Sequence, residues 1–419
     1  MRDPSIVRFR GAVAAAHAEL ERRRREVNDL NVFPVADGDT GDNMVMTMRS
    51  VLDELDRING QPIDDIGRDE LVHAVARAAL LGARGNSGVI LSQIVRGAAE
   101  ELVSRPGELV DPVLVAAALA RAADAAYDSV REPAEGTMLS AVRAMAHRVA
   151  RDLAHMRRQR LAQDATDEEQ DELLAEVLEH ALEAGKEALE RGPTQLAVLR
   201  EAGVVDAGAY GLTVIVAGVV AALRGEQAPE LDHQAVAGGP APLHQPHHES
   251  SRYRYCTNFA VTGVGLDREA FVARLEELGD SVLVVGDERT LRIHVHTDAP
   301  EAAASLFERA GQVSRFDVAD MREQVAERLE RLGGARPARE EAPCGTVAIA
   351  SGQGLRRLFE DLGATVVGGG ATLNPSTYDI LAGIHAAPAR EVVVLPNSPN
   401  TILAAERAAE LSEKPARVV

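Results

Sequence analysis

Residues 31–44, NVFPVADGDTGDNM, place three aspartates within six positions, directly before a stretch with helical periodicity. Asp37 and Asp39 are two positions apart, so in an extended loop their carboxylates point to the same side. Like charges repel, and Mg²⁺ offsets that repulsion while keeping coordination positions open for phosphate oxygens. The same residues also form a good turn and helix start, so the motif alone supports a metal site and a plain turn equally.

Neighbouring oxygen atoms could complete a magnesium site, and the sequence offers them at Asn31, Thr40 and Asn43. The helix that begins near Gly41 adds unpaired N–H groups and a positive dipole end, both of which favour a phosphate. Asp42 also gains from that dipole as an ordinary first-turn residue. We therefore assign Asp42 a structural role.

Length and composition exclude several classes of protein. A chain of 419 residues with 46% hydrophobic content predicts two to four domains with packed cores. Its net charge of −20 argues against nucleic-acid binding, which requires clustered cations. Two cysteines, an N-terminus without an apolar signal core and no run of roughly 20 apolar residues predict a soluble, cytoplasmic protein without a membrane span.

Lysine occurs only at Lys186 and Lys414. A Walker A loop needs a lysine that follows a glycine and precedes serine or threonine. Lys186 follows Gly185 but precedes Glu187, and Lys414 follows Glu413. The strand lysine of protein kinases is also missing. Any nucleotide chemistry in this chain must therefore use a different scaffold.

The hydrophobic periodicity changes along the chain and predicts a multidomain protein. Residues 1–226 read as all-helical, 227–252 as a linker rich in Pro, Gly and His, and 253–333 as a small α+β domain. A second linker at 334–343 precedes 344–419, where strands alternate with helices and predict a parallel sheet. We expect this last domain to be partial, because its final residues look like a strand just beginning. Helices are predicted at 5–30, 43–58, 67–81, 88–104, 111–131, 138–158, 168–190 and 211–224.

Three further glycine-rich loops each precede a predicted helix: GARGNSGV at 82–89, EPAEGTM at 132–138 and GVVDAGAYG at 203–211. Each signal is weak alone, because glycine before a helix is ordinary loop chemistry. In an antiparallel bundle with short loops, however, alternate helix N-termini gather at one end. Together with the aspartate loop they could form a nucleotide site from helix N-termini and Mg²⁺.

These stretches resemble the DhaL domain, the nucleotide-binding L-subunit of dihydroxyacetone kinases. The whole chain resembles the larger fatty acid kinase A subunits, through those loops together with YCTNF, IHVHTDAP and GGGATLNPST. The resemblance implies an eight-helix barrel whose open end holds ATP through magnesium ions on Asp37 and Asp39, and a DegV-like fold for 344–419. The implied nucleotide-binding positions are Thr40, Gly41, Asn43, Asn86, Ser87, Gly136, Thr137, Met138, Asp206 and Gly208.

Cys256, His294 and His296 form a second candidate site. The two histidines alternate with apolar residues, so their imidazoles share one face of a strand. A cysteine on a neighbouring strand would complete a set that suits Zn²⁺ with one open position. The sequence alone favours a different interpretation, in which the histidines lie on a solvated sheet face and the cysteine is buried in the core. The middle domain of the family that this chain resembles carries the same Cys and His-x-His pattern, and this resemblance favours a metal site.

The resemblance implies ATP-dependent phosphorylation of a fatty acid carboxylate to give an acyl phosphate for phospholipid synthesis. A separate DegV-like carrier protein would present the fatty acid, and a homodimer is compatible with the family. Two alternatives remain open. One is a small-polyol kinase of the dihydroxyacetone type, and the other is a non-catalytic nucleotide-binding adaptor of lipid metabolism.

Overall fold

The structure is a computed structural model that describes residues 4–58, 67–103, 110–156, 158–162, 164–231, 253–325, 342–350, 353–368, 375, 377–387, 389–412 and 414–419. The chain divides into two compact units, residues 1–328 and 329–419. Most of both predicted linkers lies outside the described residues. The predicted domain boundaries therefore stay predictions.

The helical part of the first unit contains ten helices among its described residues, not eight. They are α1 Pro4–Arg22, α2 Arg24–Leu30, α3 Thr40–Ile58, α4 Arg68–Gly82, α5 Gly85–Val103, α6 Pro112–Asp128, α7 Met138–Leu153, α8 Asp167–Gln195, α9 Ala197–Ala202 and α10 Ala207–Arg224. Helices α2 and α9, of seven and six residues, account for the difference. The remaining eight are 15 to 29 residues long.

These eight long helices form a closed ring. Each packs on the next long helix along the chain, and α10 packs on α1. The interior is filled mainly by Ala, Val, Leu and Met side chains. Helix α10 is long and apolar enough to span a membrane by composition, and 67% of its apolar window is buried inside the protein. That burial is typical of a core helix.

A break at Arg23 separates α1 from α2, where the sequence pattern predicts one helix. Arg23 adopts φ −99° and ψ 9°, outside the helical region. Its guanidinium is only 5% exposed; it donates to the Glu19 carboxylate at 2.8 Å and to the Tyr210 hydroxyl at 2.9 Å. No glycine or proline marks the break, so periodicity alone could not reveal it.

The first unit also contains a four-stranded antiparallel sheet of order β2-β3-β1-β4. Its elements are β1 Tyr255–Gly263, α11 Arg268–Glu276, β2 Gly279–Gly286, β3 Thr290–Thr297, α12 Pro300–Ser305 and β4 Gly311–Asp320. One face packs its apolar side chains, Phe259, Ile293 and Val295 among them, into a core with α11 and α12. The other face carries Cys256, Asn258, His294 and His296, and it lies against the helical ring.

The second unit contains a parallel sheet of order β6-β5-β7-β8, as the strand–helix alternation predicts. Its elements are β5 Ala342–Ile349, α13 Gln353–Asp361, β6 Thr365–Val367, α14 Thr377–Ala386, β7 Ala389–Leu395, α15 Pro399–Leu411 and β8 Ala416–Val418. The loop GGGATLNPST lies almost entirely outside the described residues.

Candidate functional site

The loop between α2 and α3 carries the aspartate pair. Asp37 and Asp39 are both half-buried. The Asn31 amide donates from Nδ2 to Asp37 Oδ1 at 2.6 Å, which fixes that carboxylate. Burial and the neighbouring Asp39 charge raise the pKa of Asp37 well above its usual range. Burial likewise raises the pKa of Asp39.

The start of α3 is held by residues of α2. Asn28 Oδ1 accepts from the backbone N–H of Gly41 at 2.6 Å and of Asp42 at 3.2 Å. The Asp42 carboxylate is bonded by Asn28 Nδ2 at 2.7 Å and by Arg24 Nη1 at 3.0 Å. Asp42 is therefore engaged away from the pair, in keeping with the structural role assigned to it.

The N-termini of four alternate long helices meet around one cavity of about 560 Å³. Helices α3, α5, α7 and α10 contribute them, which is the arrangement that an antiparallel ring predicts. Nine of the predicted magnesium- or nucleotide-binding positions line this cavity: Asp37, Asp39, Thr40, Asn86, Ser87, Thr137, Met138, Asp206 and Gly208.

Three predicted positions do not line the cavity, and each has a supporting role instead. Gly41 packs against α2, where a Cβ atom would lie 2.4 Å from the Arg24 carbonyl oxygen. Asn43 is buried behind Asp39, to whose carboxylate its side chain is hydrogen-bonded. Gly136 has φ 85°, and its N–H donates to Ser140 Oγ at 2.8 Å. The assignment of these three as nucleotide-binding positions stays a prediction.

Asp206 caps α10 from the wall of the cavity. Its Oδ1 accepts from the Ala209 N–H at 2.8 Å, and its carboxylate also accepts from the Met138 backbone N–H. The residue is 6% exposed, and burial raises its pKa to about 6. Asp206 thereby links the N-terminus of α7 to the N-terminus of α10.

The Cys256, His294 and His296 side chains line the same cavity as the aspartates. All three are buried, and their ligand atoms lie within 4.8 Å of one another. The His294 Nδ1–H donates to the side-chain oxygen of Asn258 at 2.9 Å, which leaves its buried Nε2 without a hydrogen-bond partner in the described structure. Burial lowers the pKa of His294 and favours the neutral ring that binds metal.

The sequence pattern did not identify the residues through which the sheet completes the cavity. Asn258 bonds three partners there, and Asp280 Oδ1 lies 3.5 Å from His296 Nδ1. Strand β2 is irregular between Asp280 and Leu283, and Ser281, with φ 51°, also lines the cavity. No sequence signal marks such an irregularity. The position of Asn258, two residues after Cys256 and therefore on the same face of the strand, is a signal that could have identified it.

The two donor sets fit different cations. Asp37, Asp39 and Asn31 offer only oxygen atoms, and the buried Asn31 Oδ1 has no hydrogen-bond partner among the described residues, so this set fits Mg²⁺. The sulfur and two imidazoles of the other set leave one tetrahedral position open, which fits Zn²⁺. Because His296 and Asp39 are near enough to interact electrostatically, the two sets belong to one site.

Comparison with protein families gives three matches along the chain. A model described as DAK2 domain matches residues 34–221. Two models that describe the middle and C-terminal domains of FakA-like fatty acid kinases match residues 252–328 and 345–419.

Curated relatives match nearly the whole chain. An uncharacterised protein of Staphylococcus saprophyticus is 35% identical over 412 residues, covering 95% of this chain and 70% of the relative. An uncharacterised protein of Staphylococcus epidermidis is 35% identical, and the match covers 92% of this chain and 69% of the relative. An uncharacterised protein of Staphylococcus aureus is 33% identical, and the match covers 94% of this chain and 70% of the relative.

Among solved structures, dihydroxyacetone kinase from C. freundii in complex with AMP-PNP and Mg²⁺ matches with 21% identity and a TM-score of 0.36, over 50% of this chain and 33% of that chain. The native form of the same kinase matches with 19% identity and a TM-score of 0.37, over 52% of this chain and 34% of that chain.

Proposed function

This chain belongs to the FakA-like fatty acid kinase family with an N-terminal DAK2 domain, and on that premise we propose that it transfers the γ-phosphoryl group of ATP to a fatty acid carboxylate. The family matches support a kinase-type nucleotide-binding protein. The fatty acid, its carrier protein and the acyl phosphate product are the more specific part of the proposal.

One observation carries the proposal: four helix N-termini and an aspartate pair surround a single cavity. Helix N-termini present unpaired backbone N–H groups and a positive dipole end to an anion. Two half-buried neighbouring carboxylates repel each other when ionised, and a cation beside them stabilises the ionised pair. A magnesium nucleotide would satisfy both requirements at once, with the helix N-termini available to its phosphates and the carboxylates available to its metal.

Mg²⁺ bound at this site would supply charge neutralisation and alignment of the γ-phosphate for transfer. Asp37 and Asp39 hold the cation, and Asn31 orients Asp37. Asn86, Ser87 and Thr137 lie at the N-termini that receive the phosphates. The bond between the γ-phosphorus and its bridging oxygen breaks as a carboxylate oxygen bonds to phosphorus. That oxygen is already nucleophilic, so no general base is required.

The Cys256, His294 and His296 set is proposed to hold Zn²⁺. Its geometry supports the assignment because the three ligand atoms converge and two second-sphere side chains, Asn258 and Asp280, lie beside the histidine Nδ1 atoms. The set faces the same cavity as the aspartates, so a metal there would lie near the transferred phosphoryl group.

The remaining features of the proposal concern partners and location. A separate DegV-like fatty-acid-binding protein presents the acyl group, and a related DegV-like fold is proposed for residues 344–419. The net charge of −20 supports a protein that does not bind nucleic acid. A cytoplasmic homodimer accords with the two cysteines and with the family.

The test is transfer from γ-labelled ATP in the presence of Mg²⁺, a carrier loaded with oleate, and hydroxylamine to trap acyl phosphate. We expect acyl hydroxamate with the unmodified protein and none with Asp37→Ala. The matched control is Asp53→Ala, which removes a surface carboxylate of α3 that pairs with Arg49. This control should retain activity.

Other outcomes assign the alternatives. Label transferred to dihydroxyacetone, with no hydroxamate, would replace the proposal with a small-polyol kinase. Nucleotide binding without transfer to either acceptor would favour the adaptor.

A further inference from the structure

Asn258 connects the two halves of the candidate site. It is 3% exposed and lies on β1, where His294 of β3 is its cross-strand partner. Its Oδ1 accepts from the His294 ring at 2.9 Å and from the backbone N–H of Gly85 at 3.2 Å. Its Nδ2 donates to Cys256 Sγ at 3.3 Å. One amide therefore contacts two ligands of the Cys256, His294 and His296 set and the first residue of α5.

These contacts permit only one orientation of the amide. If the amide were rotated by half a turn, its NH₂ group would face the Gly85 N–H, and its oxygen would face the sulfur. In the observed orientation the oxygen accepts from the Gly85 N–H and from the His294 ring, and the NH₂ group donates to the Cys256 sulfur. An N–H donor beside a thiolate stabilises the charged form that binds metal.

Gly85 is fixed from both sides. It has φ 57°, and a Cβ atom there would lie 2.2 Å from Asn43 Nδ2. Asn258 holds its N–H from the sheet, while Asn43 packs on it from α3. The next two residues, Asn86 and Ser87, line the cavity. The Asn258 amide is therefore one of the two side chains that fix the N-terminus of α5.

We propose that Asn258 is a positioning residue that couples metal binding at Cys256, His294 and His296 to nucleotide binding at the N-terminus of α5. The inference rests on the proposed function, because it takes the α5 terminus as a phosphate-binding element. A metal that fixes the cysteine and histidine side chains also fixes the amide, which holds Gly85 in place for the nucleotide. By linkage, each ligand raises the affinity of the other by the same factor.

The test is the ratio of dissociation constants for Mg·AMP-PNP, measured by calorimetry on zinc-free protein and on protein loaded with one equivalent of Zn²⁺ and desalted. Zinc affinity is measured separately by competition with a chelator. We expect the zinc-loaded protein to bind the nucleotide about fivefold or more tightly. In Asn258→Ala we expect a ratio below about twofold and zinc affinity lowered about 10- to 100-fold.

Two further variants separate positioning from simple stability. Asn258→Asp keeps both acceptor contacts and loses the donor to Cys256, so it should bind zinc more weakly while its zinc-loaded form keeps most of the ratio. Thr257→Val alters the neighbouring buried side chain, which points to the opposite face of the strand, and should change neither affinity. If Asn258→Ala fails to fold, Asn258→Leu replaces it, since leucine has a similar volume and no hydrogen-bonding atoms.

Equal nucleotide affinity with and without zinc in the unmodified protein would overturn the inference, and so would failure to bind zinc. If folded Asn258→Ala kept the same ratio of nucleotide dissociation constants as the unmodified protein, the inference would also be overturned. The coupling would then not depend on the Asn258 amide. Failure of the unmodified protein to bind Mg·AMP-PNP in either state would instead reject the proposed function.

Discussion

At the scale of single residues, the site is built from charges that oppose one another until a ligand is bound. Asp37 and Asp39 are close enough to raise the pKa of Asp37, and both are partly removed from water. Such a pair lowers the stability of the metal-free protein. Function therefore accounts for an arrangement that folding alone would not favour.

Replacing Asp37 by asparagine removes one of the two like charges and keeps the shape of the side chain. We expect Asp37→Asn to raise the free energy of unfolding in EDTA at pH 7 by about 1–2 kcal/mol, as other substitutions at strained functional sites do. Chemical denaturation followed by circular dichroism measures it. A less stable variant would show that the pair is held by interactions that outweigh its repulsion.

Asp206 makes stability depend on pH. Its native pKa of about 6 exceeds the unfolded value of 3.8, so the native state binds the proton more tightly. The resulting stabilisation is complete below about pH 4 and is lost as pH rises through about 6, a change of about 3 kcal/mol. The stability difference between the unmodified protein and Asp206→Asn should shift by about 2–3 kcal/mol between pH 4 and 7. A difference independent of pH would contradict this.

At the scale of elements, the helix N-termini are positioned by packing behind the cavity. Gly41 shows this most clearly, because it brings α3 into contact with α2 while Asn28 takes up its N–H group. At the start of α3 the cavity is therefore lined by its neighbours Asp39 and Thr40.

Gly41→Ala and Gly11→Ala are the same substitution with opposite expected effects. At Gly41 the new methyl group meets the Arg24 backbone, so we expect a loss of about 1–3 kcal/mol. Gly11 lies exposed in α1 with no atom within 4 Å of the new Cβ, and alanine there should stabilise by about 0.5–1 kcal/mol. Thermal unfolding compares the two. A Gly41→Ala variant as stable as Gly11→Ala would show that α2 and α3 are not in close contact.

At the scale of the whole molecule, the antiparallel sheet is a wall of the site. Leu283 and Val285 of β2 pack with Leu80 of α4, Val89 of α5 and Ala83 in the short connection between these two helices. The ion pair Arg131–Glu276 and the bond from Arg268 to the Asp128 carbonyl oxygen at 3.3 Å add polar contacts along the same boundary. The ring and the sheet therefore form one compact unit with the cavity between them.

Leu283→Ala should loosen this boundary from both sides. Leu283 is 6% exposed, and its truncation is expected to cost about 2–5 kcal/mol. Hydrogen exchange measured by mass spectrometry should increase in β2 and in α5 together. Val264→Ala, at a side chain 92% exposed, is the control and should leave exchange unchanged. Faster exchange in β2 alone would mean that ring and sheet open independently.

Much of this fold follows from local pattern, and most of the site does not. Helical periodicity located all eight long helices, and alternation at Ile293–His296 placed both imidazoles on one sheet face. The break at Arg23 and the irregularity in β2 depend on contacts with distant residues, so no local pattern predicts them. The approach of Asn258 to Gly85, 173 positions apart in the chain, is a tertiary contact that a single sequence does not encode visibly.

The measurement that tests the account most directly is calorimetric binding of Mg·AMP-PNP to the unmodified protein, Asp39→Ala and the control Asp53→Ala. We predict one site per chain, equal affinity in the control, and a loss of at least about 100-fold, or about 2.7 kcal/mol, both in Asp39→Ala and when EDTA removes the metal. Nucleotide binding that survives EDTA and the loss of Asp39 would contradict the claim that these helix N-termini and aspartates form a magnesium nucleotide site.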